Sequence, residues 1–190
     1  MAAAAATTTP SPQTNKRLLH ELHSFTTHPP TAPQVIASLG PISDNSILTW
    51  RAILIGPNHT PYAKGRWLLA IAIPPTYPLQ PPVVRFETRI CHPNVAFKVN
   101  PLPSGLSRHS LTDLLPQTGE ICLDLLTDRW TPAYTIEKTL EAIWGLLQEG
   151  GGEVDSPLNV DLAALMRQGD AVGAAGLVRY WTEEERYSGD

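Results

Sequence analysis

The stretch RWLLAIAIPPTYPLQPPVVRFET, residues 66–88, contains two apolar runs separated by a segment in which five of nine residues are proline. The run RWLLAIAI at 66–73 is short and apolar, which is typical of a buried strand. Proline removes a backbone donor and restricts φ, so residues 74–82 cannot lie inside a sheet. We therefore predict a buried strand, a rigid extended crossing over 74–82, and a further strand over 83–88.

Two more strand-like runs precede this stretch, QVIASL at 34–39 and ILTWRAILI at 47–55. Short segments rich in turn-forming residues separate them from each other and from the run at 66–73. Consecutive strands with short connections favour an antiparallel meander over alternating strand–helix–strand units. The sequence therefore predicts a four-stranded antiparallel sheet.

Helical patterns flank these strands. A first helix is predicted with Thr14 as its N-cap, on the spacing of Leu18, Leu22 and Phe25. A second is predicted over 131–152, where Thr131 and Pro132 have the residue types of an N-cap and a first helical position. Its apolar face is formed by Ile136, Leu140, Ile143, Trp144 and Leu147. Residues 156–190 indicate one or two further helices, weakened by the interior glycines Gly173 and Gly176.

These elements predict an α+β fold in one domain over 14–190, preceded by an Ala/Thr/Pro-rich arm over 1–13 that we predict to be disordered. The net charge is −4 and no segment clusters lysine and arginine, so nucleic acid is excluded as a partner. The longest apolar run, 67–73, is far shorter than the roughly 20 residues that span a bilayer, so no direct membrane insertion is expected.

Five motifs occur in order: Tyr77-Pro78-x-x-Pro81-Pro82, His92-Pro93-Asn94, Gly119-x-Ile121-Cys122-Leu123-Asp124-Leu125, Trp130-x-Pro132-Ala133 and Ser156-Pro157-Leu158. Each alone is a weak signal, because such short patterns also occur by chance. Together, in this order, they make the chain resemble the ubiquitin-conjugating enzymes from about Thr14 to Gly189. The resemblance implies that family's α+β fold, with an N-terminal helix, a four-stranded antiparallel meander sheet, a central helix and C-terminal helices.

The resemblance also implies a chemistry. Cys122 is expected to accept ubiquitin from the ubiquitin-activating enzyme as a thioester and pass it to a target. No cofactor is implied, since ATP is used by the upstream activating enzyme. His92 is expected to stabilise its local turn by hydrogen bonding and not to act as a base. Asn94 is expected to stabilise the oxyanion or to organise the active-site loop.

Other residues near these motifs have two interpretations each. Asp124 either orients the attacking group or is a solvated carboxylate. Ser156 stands where family members often have an acidic residue. This departure puts lysine activation in doubt and is compatible with a gate that opens and closes or with a less basic target nucleophile such as cysteine. Cys91 is interpreted as a small buried apolar residue, with a redox-sensitive partner to Cys122 as the alternative.

The matched docking surface for ligases consists of Arg17, His20, Leu79, Pro132 and Ala133. The activating enzyme is expected to use the first helix of that surface. Arg17 and His20 are equally compatible with an ordinary solvated helix face. Residues 96–117 include an insertion relative to the family, which either tunes access to the site or is a tolerated excursion.

The tail residues VDSPLNVD at 154–161 and RQGD at 167–170 look like the peroxisomal branch of the family. That branch acts at the cytosolic face of the peroxisome, where a membrane-anchored peroxin holds it. The resemblance implies RING-type peroxisomal ligases as partners and the cycling import receptor as the substrate, modified on a cysteine or a lysine.

Three alternatives remain. The chain could conjugate another ubiquitin-like modifier, or it could be a catalytically silent ubiquitin-binding variant of the same fold. Cys122 in its expected motif argues against the silent variant. A cysteine hydrolase would need a histidine base near Cys122, and the spacing of His92 and His109 supports neither of them in that role.

Overall fold

The computed structural model of the protein describes residues 9–27, 35–43, 46–97, 119–121, 129–149 and 157–189. Within these ranges the chain forms helices and one sheet. The helices are α1 (Pro12–Thr27), α2 (Ile136–Glu149), α3 (Val160–Arg167) and α4 (Ala171–Glu184), and the strands are β1 (Ile36–Ser43), β2 (Ser46–Ile55), β3 (Arg66–Ala72) and β4 (Val83–Phe86). None of the helices in these ranges is both long and apolar enough to cross a bilayer.

The sheet is an antiparallel meander with the strand order β1-β2-β3-β4, which confirms the predicted α+β fold. Burial alternates along β3, where Trp67, Leu69 and Ile71 are fully buried. Successive side chains of a strand point to opposite faces, so this pattern places one face of the sheet on the core.

Two strands end two or more residues away from their predicted ends. β1, predicted over 34–39, continues to Ser43 because Pro41 lies on an edge strand, where its missing N–H removes no ladder bond. β4, predicted over 83–88, ends at Phe86. The N–H groups of Glu87 and Thr88 both donate to the Leu68 carbonyl, which interrupts the ladder.

The predicted N-cap of α1 is wrong. The helix begins at Pro12, and the side-chain oxygen of Ser11 accepts the Thr14 N–H at 3.0 Å. Serine followed by proline is a favoured helix start, so residues 12 and 13 of the predicted arm belong to the helix. Thr14 is instead buried, with its hydroxyl within hydrogen-bonding distance of the Tyr77 carbonyl, at 2.7 Å.

The predicted start of the central helix is also wrong. α2 begins at Ile136, and the Thr135 hydroxyl accepts the Lys138 N–H at 3.1 Å, so Thr135 is the cap. Thr131 and Pro132 lie in an exposed turn before it. The glycines 150–152, predicted as the helix stop, are outside the described residues.

The predicted apolar face of α2 is confirmed. Trp144 is partly buried, and its ring N–H donates to the Ile55 carbonyl at 2.8 Å. The other four predicted residues are almost wholly buried: Ile136, Leu140, Ile143 and Leu147. α2 therefore supplies the helical side of the core. The C-terminal segment, for which one or two helices were predicted, forms two, and Gly169, with φ of 75°, lies between them.

Glu21 on α1 has a buried carboxylate that joins three parts of the fold. The Tyr77 hydroxyl donates to Oε1 at 2.7 Å and the Ile136 N–H donates to Oε2 at 2.9 Å. Arg17 pairs with the same carboxylate and donates to the Tyr134 carbonyl at 2.9 Å. Burial lowers the pKa of Arg17, but the hydrogen bond and charge of Glu21 outweigh it and raise the pKa overall. Glu21 thus connects α1, the proline-rich crossing and the N-terminus of α2.

We expect Glu21→Gln to lower the free energy of unfolding by about 2–3 kcal/mol. Hydrogen bonds to a charged group contribute about 1.5–3 kcal/mol each. In the variant, the amide NH2 would also face the Tyr77 hydroxyl or the Ile136 N–H, both of which are donors. Urea denaturation at pH 7 measures the change. Glu183→Gln, on the exposed side of α4, is the matched control and should leave the unfolding curve nearly unchanged. Equal, small losses in both variants would contradict the linking role of Glu21.

Candidate active site

The His92-Pro93-Asn94 loop is organised around a buried histidine. His92 has 0% exposure, and its Nδ1 accepts the Asn94 N–H at 3.1 Å. Its Nε2 lies 3.2 Å from the Leu146 carbonyl oxygen. Because Nδ1 accepts, Nε2 carries the proton and donates to that carbonyl. His92 thus makes hydrogen bonds of the kind that the resemblance implies for this turn.

Burial lowers the pKa of His92 to about 4, although the hydrogen bond to Leu146 acts in the opposite direction. The imidazole is neutral at physiological pH, and both ring nitrogens are occupied by backbone groups. Such a group is suited to holding a loop and not to shuttling protons.

Pro93 ties this loop to the segment before α3. Its carbonyl accepts the N–H of Leu158 at 2.8 Å and of Asn159 at 3.0 Å. Asn159 then caps α3, since its Oδ1 accepts the Leu162 N–H at 3.3 Å. Asn159 is not among the predicted site residues. An asparagine followed by Asp161 in the first turn is an N-terminal helix signal that would have identified it.

Cys91 is a buried apolar residue, as predicted. It has 3% exposure, its carbonyl accepts the Tyr62 hydroxyl at 3.1 Å, and its sulfur lies 3.7 Å from Asn159 Nδ2. Burial raises the pKa of its thiol to about 11, and the Asn159 contact offsets this only in part. A protonated, enclosed thiol is a poor nucleophile.

A short strand pair adjoins the loop. Val95 forms a β-bridge with Ile121, the Ala96 N–H donates to the Glu120 carbonyl at 3.0 Å, and the Gly119 N–H donates to the Ala96 carbonyl at 3.1 Å. The structure thus brings the backbone directly after Asn94, a residue with 4% exposure, alongside the backbone directly before Cys122.

Gly119 is required at its position in this pair. Its φ is 70°, and a Cβ there would lie 2.0 Å from the Phe86 carbonyl oxygen. The Phe86 N–H also donates to the Gly119 carbonyl at 2.9 Å, so the short pair is attached to β4. The glycine of the predicted Gly-x-Ile-Cys motif therefore has a steric reason.

Several predicted site residues are outside the described residues. These residues are Cys122, Asp124 and Ser156. Residues 98–117, which belong to the segment with the predicted insertion, are outside the described residues as well. Among the residues that are described, no group of His, Cys, Asp and Glu side chains could hold a metal ion.

The predicted docking residues lie on three neighbouring elements. Leu79 in the proline-rich crossing is 75% exposed, and His20, Pro132 and Ala133 are exposed as well. The Trp130 ring N–H donates to the Pro78 carbonyl at 2.8 Å, which joins the crossing to the turn before α2. Arg17 differs from a solvated side chain, because its guanidinium is held by Glu21 and the Tyr134 carbonyl.

The folded pKa of His92, about 4, lies below its ordinary value of 6.5. Between these values the unfolded chain binds more protons, so the contribution of His92 to stability is complete above pH 6.5 and is lost as the pH falls towards 4. Between pH 6.5 and 4 we expect His92 to lower the free energy of unfolding by about 1.4 kcal/mol for each pH unit. Urea denaturation from pH 7 to 4.5, with NMR titration of the His92 ring, measures both quantities. His20→Gln is the exposed-histidine control and should keep the slope, whereas a His92 ring that titrates near 6.5 would refute the assignment.

Comparison with known proteins agrees with this geometry. The family model described as "Ubiquitin-conjugating enzyme" matches residues 17–100 and 113–175. "Ubiquitin-conjugating enzyme E2 PEX4" of Gibberella zeae is 41% identical over 178 residues, which is 92% of this chain and 91% of the relative. "Protein PEROXIN-4" of Arabidopsis thaliana is 42% identical over 73% of this chain and 75% of the relative.

A solved structure has the same fold. The H. polymorpha ubiquitin-conjugating enzyme Pex4p, solved in complex with the soluble domain of Pex22p, superposes with a TM-score of 0.75 and 31% identity. The match covers 92% of this chain and 99% of that one. By its sequence, its fold and the order of its motifs, the chain belongs to the ubiquitin-conjugating enzyme family and, within it, to the PEX4 type.

Proposed function

We propose that Cys122 is the residue on which this ubiquitin-conjugating enzyme carries ubiquitin. Its thiolate attacks the carbonyl carbon of the thioester that joins ubiquitin's C-terminus to a cysteine of the activating enzyme. A new carbon–sulfur bond forms at Cys122, and the activating enzyme's sulfur leaves as a thiolate. An acceptor amine or thiol then attacks the Cys122 thioester, and the Cys122 sulfur leaves in turn.

The observation that carries the proposal is the bridge between Val95 and Ile121. It supports a site in which the backbone leading to Cys122 runs beside the Asn94 loop. Exchange between thioesters needs no strong general base, because a thiolate fraction of a few per cent is already nucleophilic. A buried, neutral His92 is consistent with such chemistry.

We assign Asn94 the stabilisation of the oxyanion that forms when the acceptor attacks. An amide N–H donates without carrying charge, and loss of one such donor costs on the order of 3–4 kcal/mol. The alternative role, organisation of the loop, is supported by the bond from the Asn94 N–H to His92. The two roles are compatible, because the side chain and the backbone N–H are separate donors.

The residues at positions 124 and 156 bear on which target side chain accepts ubiquitin. We propose that Asp124 orients the incoming group. A serine at position 156 cannot remove the proton of a lysine, whose pKa is near 10.4, but a cysteine thiol near 8.5 ionises more readily. We therefore propose cysteine as a favoured acceptor, with lysine as the slower one.

The proposed docking surface for the activating enzyme and for RING-type ligases contains Arg17, His20, Leu79, Pro132 and Ala133. Its exposed apolar centre is Leu79. The bonds from Trp130 to Pro78 and from Arg17 to Tyr134 support it, because they join its three elements without using the exposed side chains.

We further propose a peroxisomal role. The H. polymorpha relative was solved with the soluble domain of Pex22p, and this supports a corresponding membrane-anchored partner for the present chain. Such a partner would hold the enzyme at the cytosolic face of the peroxisome, where peroxisomal RING ligases would direct ubiquitin to the import receptor.

The exposed face of α4 is the surface we propose for that anchor. Val172 is 85% exposed and Tyr180 is 55% exposed, and the exposed Gly176 lies between them at the same helical spacing. Exposed apolar side chains on one face, with room at the glycine for close approach, are suited to a protein partner.

Incubation with activating enzyme, ATP and ubiquitin is expected to give an adduct that thiol reductant cleaves. Cys122→Ala should give none, and Cys122→Ser should give an adduct that survives reductant, because an oxyester replaces the thioester. Cys91→Ala is the matched control and should charge like the native chain. Charging that depends on Cys91 and not on Cys122 would overturn the assignment.

Two further arms of the charging assay address the finer proposals. Replacing ubiquitin by another ubiquitin-like modifier with its own activating enzyme tests the modifier. Offering the charged enzyme free cysteine or free lysine tests the acceptor, and faster discharge to lysine would contradict the preference for cysteine.

For the anchor surface, we expect Tyr180→Ala to weaken binding to a soluble Pex22p-type domain at least tenfold. Tyrosines that become buried in a protein–protein interface commonly contribute much of the binding energy. Isothermal titration calorimetry measures the affinity. Leu79→Ala, an exposed apolar change on the ligase side, is the control and should bind normally. If Tyr180→Ala bound fully and Leu79→Ala bound weakly, the anchor would bind on the Leu79 side, and the assignment of α4 to the anchor would be wrong.

A further inference from the structure

A cluster outside all five motifs attaches α4 to the chain beside the active site. The guanidinium carbon of Arg89 lies 5.3 Å from the centre of the Trp181 ring and 5.7 Å from the centre of the Phe97 ring. The two rings meet edge to face, with centres 5.0 Å apart. Glu185, directly after α4, pairs with Arg89 at 3.1 Å. We call these four residues the Arg89 cluster.

Phe97 gives this cluster its position. Phe97 directly follows Ala96 in the chain. The Ala96 N–H donates to the Glu120 carbonyl, and the Ala96 carbonyl accepts the Gly119 N–H; these are the two hydrogen bonds of the short strand pair. The cluster therefore holds the chain one residue beyond the pairing that leads to Cys122. The pair is short, and two short strands alone are marginal in water, so side-chain packing adds to the support that its attachment to β4 gives.

The chemistry of the cluster is suited to that support. Edge-to-face aromatic pairs and a cation over ring faces attract beyond the burial of area. The Arg89 side chain is 28% exposed and that of Glu185 is 34% exposed, so neither charge is stranded in the core. The Trp181 ring and the Arg89 guanidinium restrict where the Phe97 ring can lie, and the ion pair with Glu185 restricts where the guanidinium can lie.

We infer that Arg89 and Trp181 are positioning residues for ubiquitin transfer. They hold Phe97, and Phe97 holds the pairing of residues 95–96 with 119–121, on which the position of the Asn94 loop relative to the backbone at Ile121 depends. The inference rests on the proposed role of Cys122. Both residues are proposed to act on the rate through the backbone pair and not by contact with the reacting atoms.

The first measurement is the kinetics of discharge from the charged enzyme to a free acceptor, the step in which Asn94 is proposed to act. Trp181→Ala is expected to lower kcat for discharge about tenfold, with KM for the ubiquitin-loaded activating enzyme in charging unchanged, because the proposed docking surface lies on other elements. Trp181→Phe should recover most of the rate, since it keeps an aromatic face. Arg89→Gln should lower kcat about threefold, and Arg179→Gln, an exposed arginine of α4, is the matched control with native kinetics.

The second measurement does not use activity. Amide hydrogen exchange at Ala96 and Gly119 should accelerate about tenfold in Trp181→Ala, while the amides that pair β2 with β3 keep their native rates. Should Trp181→Ala lose its fold, Arg89→Gln keeps both rings and provides the same two measurements.

The outcomes separate the two proposals. Native kcat and native exchange in both Trp181→Ala and Arg89→Gln, with a native chain that charges, would overturn the positioning role and leave Cys122 in place. Absence of a reducible adduct on the native chain would overturn the role of Cys122, whatever the exchange rates are. A fall in kcat that Trp181→Phe restores, accompanied by faster exchange at Ala96, supports the inference.

Discussion

The ends of the central helix impose the constraint on which the rest of this structure depends. An α-helix leaves its first N–H groups and last carbonyl groups without partners inside the helix, and burial makes each of them costly. At one end of α2 the Ile136 N–H donates to the buried carboxylate of Glu21, and near the other end the Leu146 carbonyl accepts from the buried imidazole of His92. Glu21 belongs to the proposed docking side and His92 to the Asn94 loop. One helix therefore sets the distance between the two regions.

The protonation states of these two side chains suit their partners. A carboxylate is an acceptor, which the N–H at a helix start and the Tyr77 hydroxyl both require. A neutral imidazole can accept at Nδ1 and donate at Nε2 at once, as the Asn94 N–H and the Leu146 carbonyl require. An imidazolium could only donate and would lose the first of these bonds. Burial, by keeping His92 neutral, thus preserves the loop geometry at neutral pH.

Backbone contacts between distant segments assemble the site. Pro93 binds Leu158 and Asn159, Val95 bridges to Ile121, and Gly119 packs against Phe86 without room for a side chain. These contacts join four separate stretches of the chain, and three of them have a motif residue at or beside the contact: Pro93, Gly119 and Leu158. This explains why a short motif alone is weak and the ordered set is informative, since each motif fits only when the others are in place.

The sequence by itself determined the meander, the buried face of α2 and the family, because strand alternation, helical spacing and motif order are local properties of the chain. It misplaced the starts of α1 and α2, where Thr14 and Thr131 compete with Ser11 and Thr135 as plausible caps. Tertiary structure decided between them, since the buried Thr14 meets the Tyr77 carbonyl and Glu21 takes the Ile136 N–H. The contacts of Arg89 with Phe97 and with Trp181 were likewise invisible along the chain. Their energies come from partners that are distant in sequence and adjacent only after folding.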